Sequence, residues 1–416
     1  MRILIQSLHY LPDGGPSSPL FGMLCEALVK RGHEVTVIAS APHYPSGRVQ
    51  KQYRGWRVRR SVENGVRVIR IPVPSVNRSR LAQRLMQWVV YQIGSVLSAW
   101  REPFNVGVYT SPTLSMWLPF VYHTVLRKKA AVYSVHDVYP QVGITLGIFR
   151  QPYVVSLVSA MEKFCLQRSV YVRTLSESFA SPLKALGVPD NKLVLIYDWV
   201  DTNLIRPASK ENCFARENGL TNLFVVQYAG NIGLSQGLGH VLEAARKLAS
   251  HQDILFLFVG DGAGREQLED DARKMGLANV KFLPFQPRPR LPEVLASADL
   301  SLVTLKKGIT TGSLPSKSYS ILSSGRPIVA SVDGDSDMAR LIERSHAGVT
   351  VPPEEPHLLA EAILSLKANP AACRQMGVRG REYVEQYHSP DSAATFFEGL
   401  LQKAIERSAF RGAALG

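Results

Sequence analysis

The sequence is poor in cysteine, in long apolar runs and, over its first half, in acidic residues. Its four cysteines are Cys25, Cys165, Cys213 and Cys373, and no two of them have the close spacing of a zinc or redox site. That pattern favours unpaired thiols in a reducing compartment. No stretch reaches the roughly 18–20 apolar residues of a membrane-spanning helix, and the run after Met1 is too short for a signal peptide. These absences together predict a protein of the cytoplasm.

The scarcity of acidic residues is confined to residues 1–200. This part of the 416-residue chain holds 24 Lys and Arg against 10 Asp and Glu, whereas the remainder holds 24 of each. The whole formal net charge of +14 therefore comes from the first half. Between residues 48 and 101 there are 12 basic residues and one acidic residue, Glu63. Such a surface attracts a polyanion: nucleic acid, anionic lipid headgroups or a phosphorylated substrate.

Residues 81–100 form the most apolar segment of this basic half. Arg78, Arg80 and Arg84 flank its start, and Trp88 and Trp100 lie within it. Tryptophans beside a basic flank are typical of a helix that lies in a membrane interface. The same pattern fits an amphipathic helix packed on the domain core, and the sequence leaves both interpretations open.

The composition and the order of apolar runs predict two folded domains. Apolar residues make up 45% and charged residues 20%, which excludes disorder. Strands and helices alternate, which predicts doubly wound parallel sheets covered on both faces. We predict an N-terminal domain over 1–200, a C-terminal domain over 201–390 and a helix over 391–416 that packs back towards the first domain. Predicted strands are 3–6, 34–39, 66–71, 106–109, 131–135, 170–174, 193–196, 223–229, 254–259, 280–282, 300–304 and 327–331.

Each domain has a glycine-rich turn after its first strand. Gly14 and Gly15 form the first turn, and residues 230–237 form the second. Backbone N–H groups of such turns can approach a phosphate. Neither turn is a P-loop or a dinucleotide fingerprint, and a structural tight turn explains the first pair of glycines equally well. Ligands of these sheets bind beyond the carboxyl ends of the strands, so two facing domains would form a cleft there.

Three further residues suit a ligand at such an edge. His136 and Asp137 end a predicted strand, and this placement leaves a functional role and a structural role equally open. Lys317 lies where a loop enters a short helix. It either holds an anion or is a solvated side chain.

Motifs along the chain resemble a known family. The run from Pro315 to Ala330 is similar to the C-domain signature of GT-B glycosyltransferases of family 4. The turn at 230–238 and the loop at 259–262 resemble two further landmarks of that family. With the opening strand and its Gly14–Gly15 turn, the resemblance covers essentially the whole chain. It is nearest to bacterial transferases of O-antigen and colanic-acid assembly, including N-acetylfucosaminyl- and fucosyltransferases.

The resemblance implies a retaining, metal-independent transfer of a sugar from a nucleotide-sugar, expected to be UDP-linked, with no cofactor. The implied acceptor is a saccharide on a polyprenyl diphosphate, at the anionic cytoplasmic face of the inner membrane. His136 matches the histidine that hydrogen-bonds the donor sugar, and Asp137 is taken as catalytic with it. An oxocarbenium-like sugar and a leaving diphosphate need hydrogen-bond donors rather than a strong base. The other implied site residues are, for the donor, Gly14, Gly15, Gly230, Asn231, Gln236, Gly260, Asp261, Pro284, Phe285, Ser316, Lys317 and Ser320, and, for membrane or acceptor, Arg78, Arg80, Arg84, Trp88 and Trp100.

The sequence departs from the family pattern in its C-terminal half. Asn231 and Gln236 stand near positions where the family commonly has Arg and Lys. Gly312 and Ser320 stand near the positions of a glutamate pair. Backbone N–H groups and Lys317 would bind the diphosphate in place of that Arg and Lys. The contacts of the glutamate pair to sugar and ribose cannot be carried over to this sequence.

Two other functions remain open. A sugar-nucleotide epimerase of the same GT-B architecture would need acidic and histidine groups for elimination and would not need the segment 81–100. A nucleic-acid-binding protein would use the basic run 48–101. That run has few aromatic residues beyond Tyr53 and Trp56 and shows no recognition module. We therefore predict a glycosyltransferase without a nucleic-acid partner.

Overall fold

The computed structural model describes residues 1–15, 17–78, 80–139, 144, 151–308 and 315–413. Gly312, one of the two positions at which the family has a glutamate, lies outside the described residues. The chain forms two compact units. The first contains Met1–Asp198 and Pro390–Gly416, and the second contains Trp199–Ser389.

The first unit is built on an eight-stranded sheet. Its strands are β1 (Arg2–Gln6), β2 (Glu34–Ser40), β3 (Arg59–Glu63), β4 (Val66–Ile71), β5 (Val106–Thr110), β6 (Ala130–Val135), β7 (Tyr171–Thr174) and β8 (Leu193–Leu195). They lie in the order β3-β4-β2-β1-β5-β6-β7-β8, and only β3 pairs antiparallel. Its helices are α1 (Ser18–Lys30), α2 (Leu81–Ser98), α3 (Trp117–Val121), α4 (Pro152–Arg168), α5 (Ala180–Ala185) and the C-terminal α14 (Pro390–Ala413).

The central strands of this sheet are buried over nearly their whole length. Every residue of β6 is buried, as expected where helices cover both faces of a parallel sheet. Helix α14 contacts α1, β5 and β6. Glu398 on α14 accepts hydrogen bonds from Arg31 at 2.8 Å and from His33 at 3.1 Å. The C-terminal helix therefore completes the cover of the first sheet.

Strand β3 is absent from the sequence-based prediction. It forms a hairpin with β4 through the two-residue turn Asn64–Gly65, where both φ angles are positive. Asn-Gly is a strong signal for this kind of turn. The four residues from Arg59 to Val62 are exposed, so the apolar alternation that marks a strand is missing. The turn signal was present, but the strand pattern was not.

The second unit has a six-stranded parallel sheet. Its strands are β9 (Phe224–Ala229), β10 (Ile254–Val259), β11 (Val280–Leu283), β12 (Leu300–Thr304), β13 (Ile328–Ser331) and β14 (Gly348–Val351). They lie in the order β11-β10-β9-β12-β13-β14. The helices are α6 (Cys213–Glu217), α7 (Gly239–Lys247), α8 (Arg265–Lys274), α9 (Leu291–Ala296), α10 (Lys317–Ser323), α11 (Asp337–Ser345), α12 (Pro356–Ala368) and α13 (Pro370–Tyr387).

This strand order is that of a doubly wound nucleotide-binding fold. Three hydrophobic clusters fill the space between the sheet and its helices. Strand β14 was not predicted, because only its last residue is buried and its apolar run is short. Among the described helices of both units, none combines the length and the apolarity needed to cross a bilayer.

Glu162 on α4 is a buried acid in the core of the first unit. The Tyr133 hydroxyl donates to its Oε1 at 3.0 Å, and the Thr113 hydroxyl donates to its Oε2. Burial raises the pKa of Glu162 to about 7, although the two hydrogen bonds oppose the shift. The folded state therefore holds this proton more tightly than the unfolded state does.

This raised pKa predicts a pH-dependent stability. The contribution of Glu162 is fully present below the unfolded pKa, near 4.3, and is lost as the pH rises through about 7. Relative to Glu162→Gln, the wild type should lose stability between pH 4.5 and 8 in urea unfolding followed by circular dichroism. Glu34→Gln, a change at an exposed acid, should show no such trend. A constant difference between wild type and Glu162→Gln across this range would contradict the assignment.

Candidate functional site

The second sheet has a topological switch point beside β9. Strand β9 lies between β10 and β12, and the winding of the chain reverses there. Ligands of open α/β sheets bind outside the carboxyl ends of the strands at such a point. The glycine turn at 230–237 follows β9, and the loop that leads to Lys317 follows β12. Two of the sequence-predicted donor elements therefore lie at the switch point.

The glycines after β9 and β10 pack backbone against backbone. A side chain at Gly260 would collide with the carbonyl of Gly230, and one at Gly262 would collide with the carbonyl of Ile232. The N–H of Ile232 donates to the carbonyl of Asp261 at 2.8 Å. Gly260 is therefore explained by loop packing, and its effect on a ligand is to hold the Gly230 turn in place.

Lys317 extends its side chain to this turn. Its Nζ lies 3.6 Å from the centre of the Tyr228 ring, and a Cβ at Gly230 would lie 3.6 Å from its Cδ. The residue as a whole is partly exposed, but Nζ is enclosed and has no hydrogen-bond partner among the described residues. Burial lowers the pKa of Lys317 to about 7. The interpretation of Lys317 as a solvated side chain is therefore wrong for its charged end.

An enclosed ammonium without a counter-charge is costly, and a single aromatic face offsets only part of the loss of water. A bound anion would remove that cost. Gln236 lies in the same turn, and its Oε1 is also enclosed without a hydrogen-bond partner among the described residues. An amide oxygen only accepts hydrogen bonds, so Lys317 is the group that favours an anion beside this turn.

The other predicted donor residues differ in their exposure. Phe285 is 72% exposed and follows Pro284 directly after β11, where an aromatic ring is available for stacking. Asn231 and Ser316 are exposed, and Ser320 is partly buried in α10. Asp261 is exposed and accepts a hydrogen bond from the Gly262 N–H at 2.8 Å. The roles of these residues in donor binding stay predictions.

His136 follows β6 at the carboxyl edge of the first sheet. The backbone N–H of His136 donates to Ser111 Oγ at 2.9 Å, so the loop after β5 positions this residue. Its Nε2 lies 3.3 Å from Ser134 Oγ, which accepts a hydrogen bond from Arg173 Nη1 at 3.2 Å. The Ser134 hydroxyl has two lone pairs and one proton, so this contact fits either neutral tautomer of His136.

Arg173 is the buried charge behind this histidine. It pairs with Asp198 at 2.7 Å and donates to the carbonyl of Ile196 at 2.7 Å. Burial lowers the pKa of His136 to about 4, a shift that Asp198 opposes and Arg173 reinforces. His136 is therefore neutral at physiological pH, and one of its ring nitrogens can donate a hydrogen bond. In the sequence Arg173 stands out as a charge inside an apolar strand, but it is not among the predicted site residues.

Asp137 and the first glycine turn have simpler surroundings. Asp137 is exposed, and its backbone N–H lies 3.3 Å from Ser111 Oγ.

In the first glycine turn, a Cβ at Gly15 would lie 2.5 Å from Cβ and Cγ of His9. Gly15 is therefore required by contact with His9, whatever else the turn does. The assignment of Gly14 and Gly15 to the donor diphosphate stays a prediction.

Some of the basic side chains between residues 48 and 101 are held in ion pairs within the first unit. Arg70 is 1% exposed, pairs with Glu63 at 2.7 Å and donates to the carbonyl of Leu11. Arg67 pairs with Glu102 at 3.0 Å. Each of these two arginines is paired with a glutamate, so the positive field available to a partner is smaller than the count of 12 implies.

Helix α2 turns its polar side chains inward. Gln87, Tyr91, Gln92 and Ser95 are buried, and Tyr91 is hydrogen-bonded to Gln6 at 2.8 Å. The apolar side chains face outward. We call the exposed group the α2 apolar face: Leu85, Met86, Val89, Ile93, Leu97 and Trp100, each between 38% and 69% exposed. The helix itself packs on the domain core through Tyr91, and the α2 apolar face is the part that the core does not cover.

Basic and aromatic side chains border this face. Arg84 stacks on Trp88, 5.4 Å from the ring centre, and Arg80 is exposed just before the helix. Trp100 stacks on Tyr122 at 5.1 Å. Arg78 instead stacks on Tyr44 at 4.4 Å, away from the helix surface. A contiguous apolar surface of this kind marks an interaction site on a protein surface.

Two family models match this chain. A model described as glycosyl transferases group 1 matches residues 210–383, and a glycosyl transferase 4-like domain model matches residues 17–199. The chain belongs to this family of glycosyltransferases, and its two α/β units have the GT-B fold. The predicted family and fold class are confirmed.

Named relatives and solved structures agree with this family and fold. WcaI of Escherichia coli, whose name describes a colanic acid biosynthesis glycosyl transferase, is 29% identical over 402 residues, 93% of this chain and 96% of that protein. The glycosyltransferase WbjE of Pseudomonas aeruginosa is 24% identical over 296 residues, 70% of this chain and 73% of that protein. HepE of Anabaena, solved in complex with UDP, shares the fold with a TM-score of 0.69 at 16% identity, covering 97% of this chain and 100% of that one.

The surroundings of Lys317 predict proton uptake on ligand binding. A diphosphate beside the ammonium favours its charged form, so the pKa of Lys317 rises from about 7 when the anion binds. At pH 7 we expect uptake of about half a proton per bound UDP. Titration calorimetry in buffers of different ionisation enthalpy measures this number directly.

Lys317→Ala should abolish the uptake and weaken UDP binding by about tenfold or more, because one charge-assisted contact is lost. Lys247→Ala, which removes an exposed lysine of the same unit, should change neither quantity. Undiminished proton uptake in Lys317→Ala would remove Lys317 from the donor site.

Proposed function

We propose that this protein is a retaining glycosyltransferase that moves a sugar from a UDP-sugar to a saccharide on a polyprenyl diphosphate carrier. The process is the biosynthesis of a bacterial surface polysaccharide. The observation that carries the proposal is the enclosed ammonium of Lys317, which has no counter-charge among the described residues and lies at the switch point of the second sheet. A nucleoside diphosphate supplies the negative charge that this position lacks.

In the proposed reaction the bond between the sugar C1 and the diphosphate oxygen breaks, and its electron pair leaves with UDP. The acceptor oxygen bonds to C1 on the same face, and its proton passes to the leaving diphosphate. Lys317 and the N–H groups of the Gly230 turn stabilise the charge that develops on the diphosphate. No metal ion or cofactor takes part.

His136 donates a hydrogen bond to the donor sugar in this proposal. The support is its protonation state, because the lowered pKa keeps the ring neutral and a neutral ring still has one N–H to donate. A neutral donor is suited to a sugar hydroxyl, because it orients the sugar without adding a charge that would oppose an oxocarbenium-like centre.

Support for UDP and for a polysaccharide comes from the relatives. HepE was solved with UDP and with UDP-glucose, and WcaI is named for colanic acid biosynthesis. The first unit does contain a group of histidine and acidic residues, His9, Asp13 and His43, but the family models and the relatives favour a transferase over the epimerase. The basic residues that are buried in ion pairs, such as Arg70, further weaken the nucleic-acid alternative.

The α2 apolar face supports a place on the membrane. Its apolar side chains point outward and basic side chains border it, which is the arrangement of a helix that lies in a lipid interface. We propose that α2 rests on the anionic cytoplasmic face of the inner membrane. The lipid-linked acceptor would then reach the first unit without leaving the bilayer surface.

A thermal-shift panel of UDP, GDP, ADP and their sugars tests the donor. A ligand that binds only the folded protein raises the melting temperature, and we expect the largest shift with UDP or a UDP-sugar. His136→Ala should lower transfer at least about a hundredfold while UDP still binds. No shift with any nucleotide would contradict the proposed function, and near-normal transfer by His136→Ala would contradict the role of that histidine.

Liposome flotation tests the membrane proposal. The double change Val89→Glu and Ile93→Glu should reduce flotation with anionic vesicles by roughly tenfold, because it places two charges in the lipid-facing surface. Val378→Glu, at an exposed apolar residue of the second unit, is the matched control and should float like the wild type. Neutralising Arg80 and Arg84 should weaken the salt-sensitive part of binding. Equal flotation of all variants would exclude α2 as the contact.

A further inference from the structure

Arg173, on β7, is a fully buried arginine close to His136. Its guanidinium is held by three oxygens that lie in different directions. Nε donates to the carbonyl of Ile196 at 2.7 Å, Nη2 donates to Asp198 Oδ1 at 2.7 Å, and Nη1 donates to Ser134 Oγ at 3.2 Å. The guanidinium therefore has one orientation, because a rotation of this planar group breaks at least one of the hydrogen bonds.

The hydroxyl of Ser134 links this arginine to the histidine ring. Ser134 is fully buried on β6, and its Oγ lies 3.3 Å from His136 Nε2. The hydroxyl accepts from Arg173, and with its proton or its second lone pair it can pair with Nε2 in either neutral tautomer. Because the guanidinium is fixed, the hydroxyl that it binds is fixed as well, and Nε2 has a partner at one defined place.

The other contacts of His136 leave its second ring nitrogen for a ligand. The ring of Phe21, on α1, lies 5.7 Å from the imidazole in a T-shaped arrangement, and Ser111 accepts from the backbone N–H. The residue is partly exposed, and Nδ1 has no hydrogen-bond partner among the described residues. Half a turn of the ring would exchange its two edges, and the contact of Nε2 with Ser134 opposes that turn.

Arg173 also acts on the ring through its charge. Burial lowers the pKa of His136 to about 4, and Asp198 opposes this shift whereas Arg173 reinforces it. The positive charge of Arg173 is therefore one of the causes that keep the ring neutral at physiological pH. A neutral ring suits a sugar that becomes oxocarbenium-like, since a second positive charge nearby would raise its energy.

We propose that Arg173 is the positioning residue of His136 in sugar transfer. It acts through the Ser134 hydroxyl, which holds the imidazole in the orientation that presents Nδ1 to a hydroxyl group of the donor sugar. Arg173 is fully buried, so it acts on the ring and not on the sugar. Asp198 and the carbonyl of Ile196 are the fixed support of the guanidinium. The inference rests on the proposed function, in which His136 binds the donor sugar.

Ser134→Ala cuts the link between Arg173 and His136 and keeps both residues. The kcat for transfer should fall by about tenfold to a hundredfold, because a small misplacement of a reacting group has effects of this size. UDP affinity should stay within about twofold, because UDP lacks the sugar that His136 contacts. Ser169→Ala is the matched control, since it removes a buried hydroxyl of the same unit that donates to the carbonyl of Cys165. This control should keep the wild-type kcat.

The assay uses defined substrates. The donor is the UDP-sugar with the largest thermal shift, and the acceptor probe is a synthetic short-chain polyprenyl diphosphate that carries one N-acetylglucosamine. Arg173→Lys should behave like Ser134→Ala, because one ammonium group cannot hold three oxygens that lie in different directions. Circular dichroism at the assay temperature shows which variants are folded.

A double-mutant cycle shows whether Ser134 acts through His136. In the His136→Ala background the group to be positioned is absent, so the addition of Ser134→Ala should change kcat by less than about twofold. A merely structural contact would instead lower kcat by the same factor with and without the histidine. That result would overturn the inference.

NMR titration of the histidine rings measures the effect of the charge. The His136 signal is identified by its loss in His136→Ala. Its pKa of about 4 should rise in Arg173→Met, because Asp198 then acts on the ring without an opposing charge. An unchanged pKa in this variant would contradict the action of Arg173 on the ring. If Arg173→Met does not fold, Ser134→Ala and the double-mutant cycle decide the matter.

The outcomes separate this inference from the proposed function. If His136→Ala loses transfer but Ser134→Ala and Arg173→Lys keep kcat within twofold, the positioning role is wrong and the proposed function stands. If His136→Ala transfers normally while UDP still binds, the role of the histidine fails and the inference fails with it. A wild type that neither binds UDP nor transfers sugar overturns both.

Discussion

Both units depend on the direction that their strands share. In a parallel sheet every strand ends at the same edge, so loops that are far apart in sequence meet there. The first unit brings His9, His43 and His136 to one edge in this way. The second unit brings the Gly230 turn and Lys317 together after β9 and β12. The chemistry of each unit follows from this geometry, because no single segment contains a complete set of groups.

Buried charges divide into two kinds according to their partners. Arg173 pairs with Asp198 and donates to two further oxygens, and Asp13 accepts four hydrogen bonds. Such groups are compensated within the folded chain, and they position their neighbours. The Nζ of Lys317 has an aromatic ring but no hydrogen-bond partner among the described residues. A charge that the protein leaves uncompensated is the one best suited to bind a charged ligand.

Helix α2 inverts the usual arrangement of an amphipathic helix, and hydrogen bonds explain how. Gln87 donates to the carbonyl of Pro74 at 2.8 Å, and Gln92 accepts the N–H of Leu118 at 2.9 Å. Each inward polar group thus has a partner, which removes most of the cost of burying it. The apolar side chains are left outside, where water is an unfavourable neighbour and a lipid surface is a favourable one.

The sequence by itself determined the alternation of strands and helices, the family, and the strand-end positions of His136 and the two glycine turns, because buried parallel strands are continuous apolar runs. It missed the exposed strand β3, although Asn64–Gly65 marked the hairpin turn. Only the tertiary structure decided which face of α2 is exposed, that Arg70 is an internal charge, and that Asp13 joins His9 to His43. Those outcomes depend on contacts between residues that are distant in sequence, such as Gln6 with Tyr91, and no local pattern encodes them.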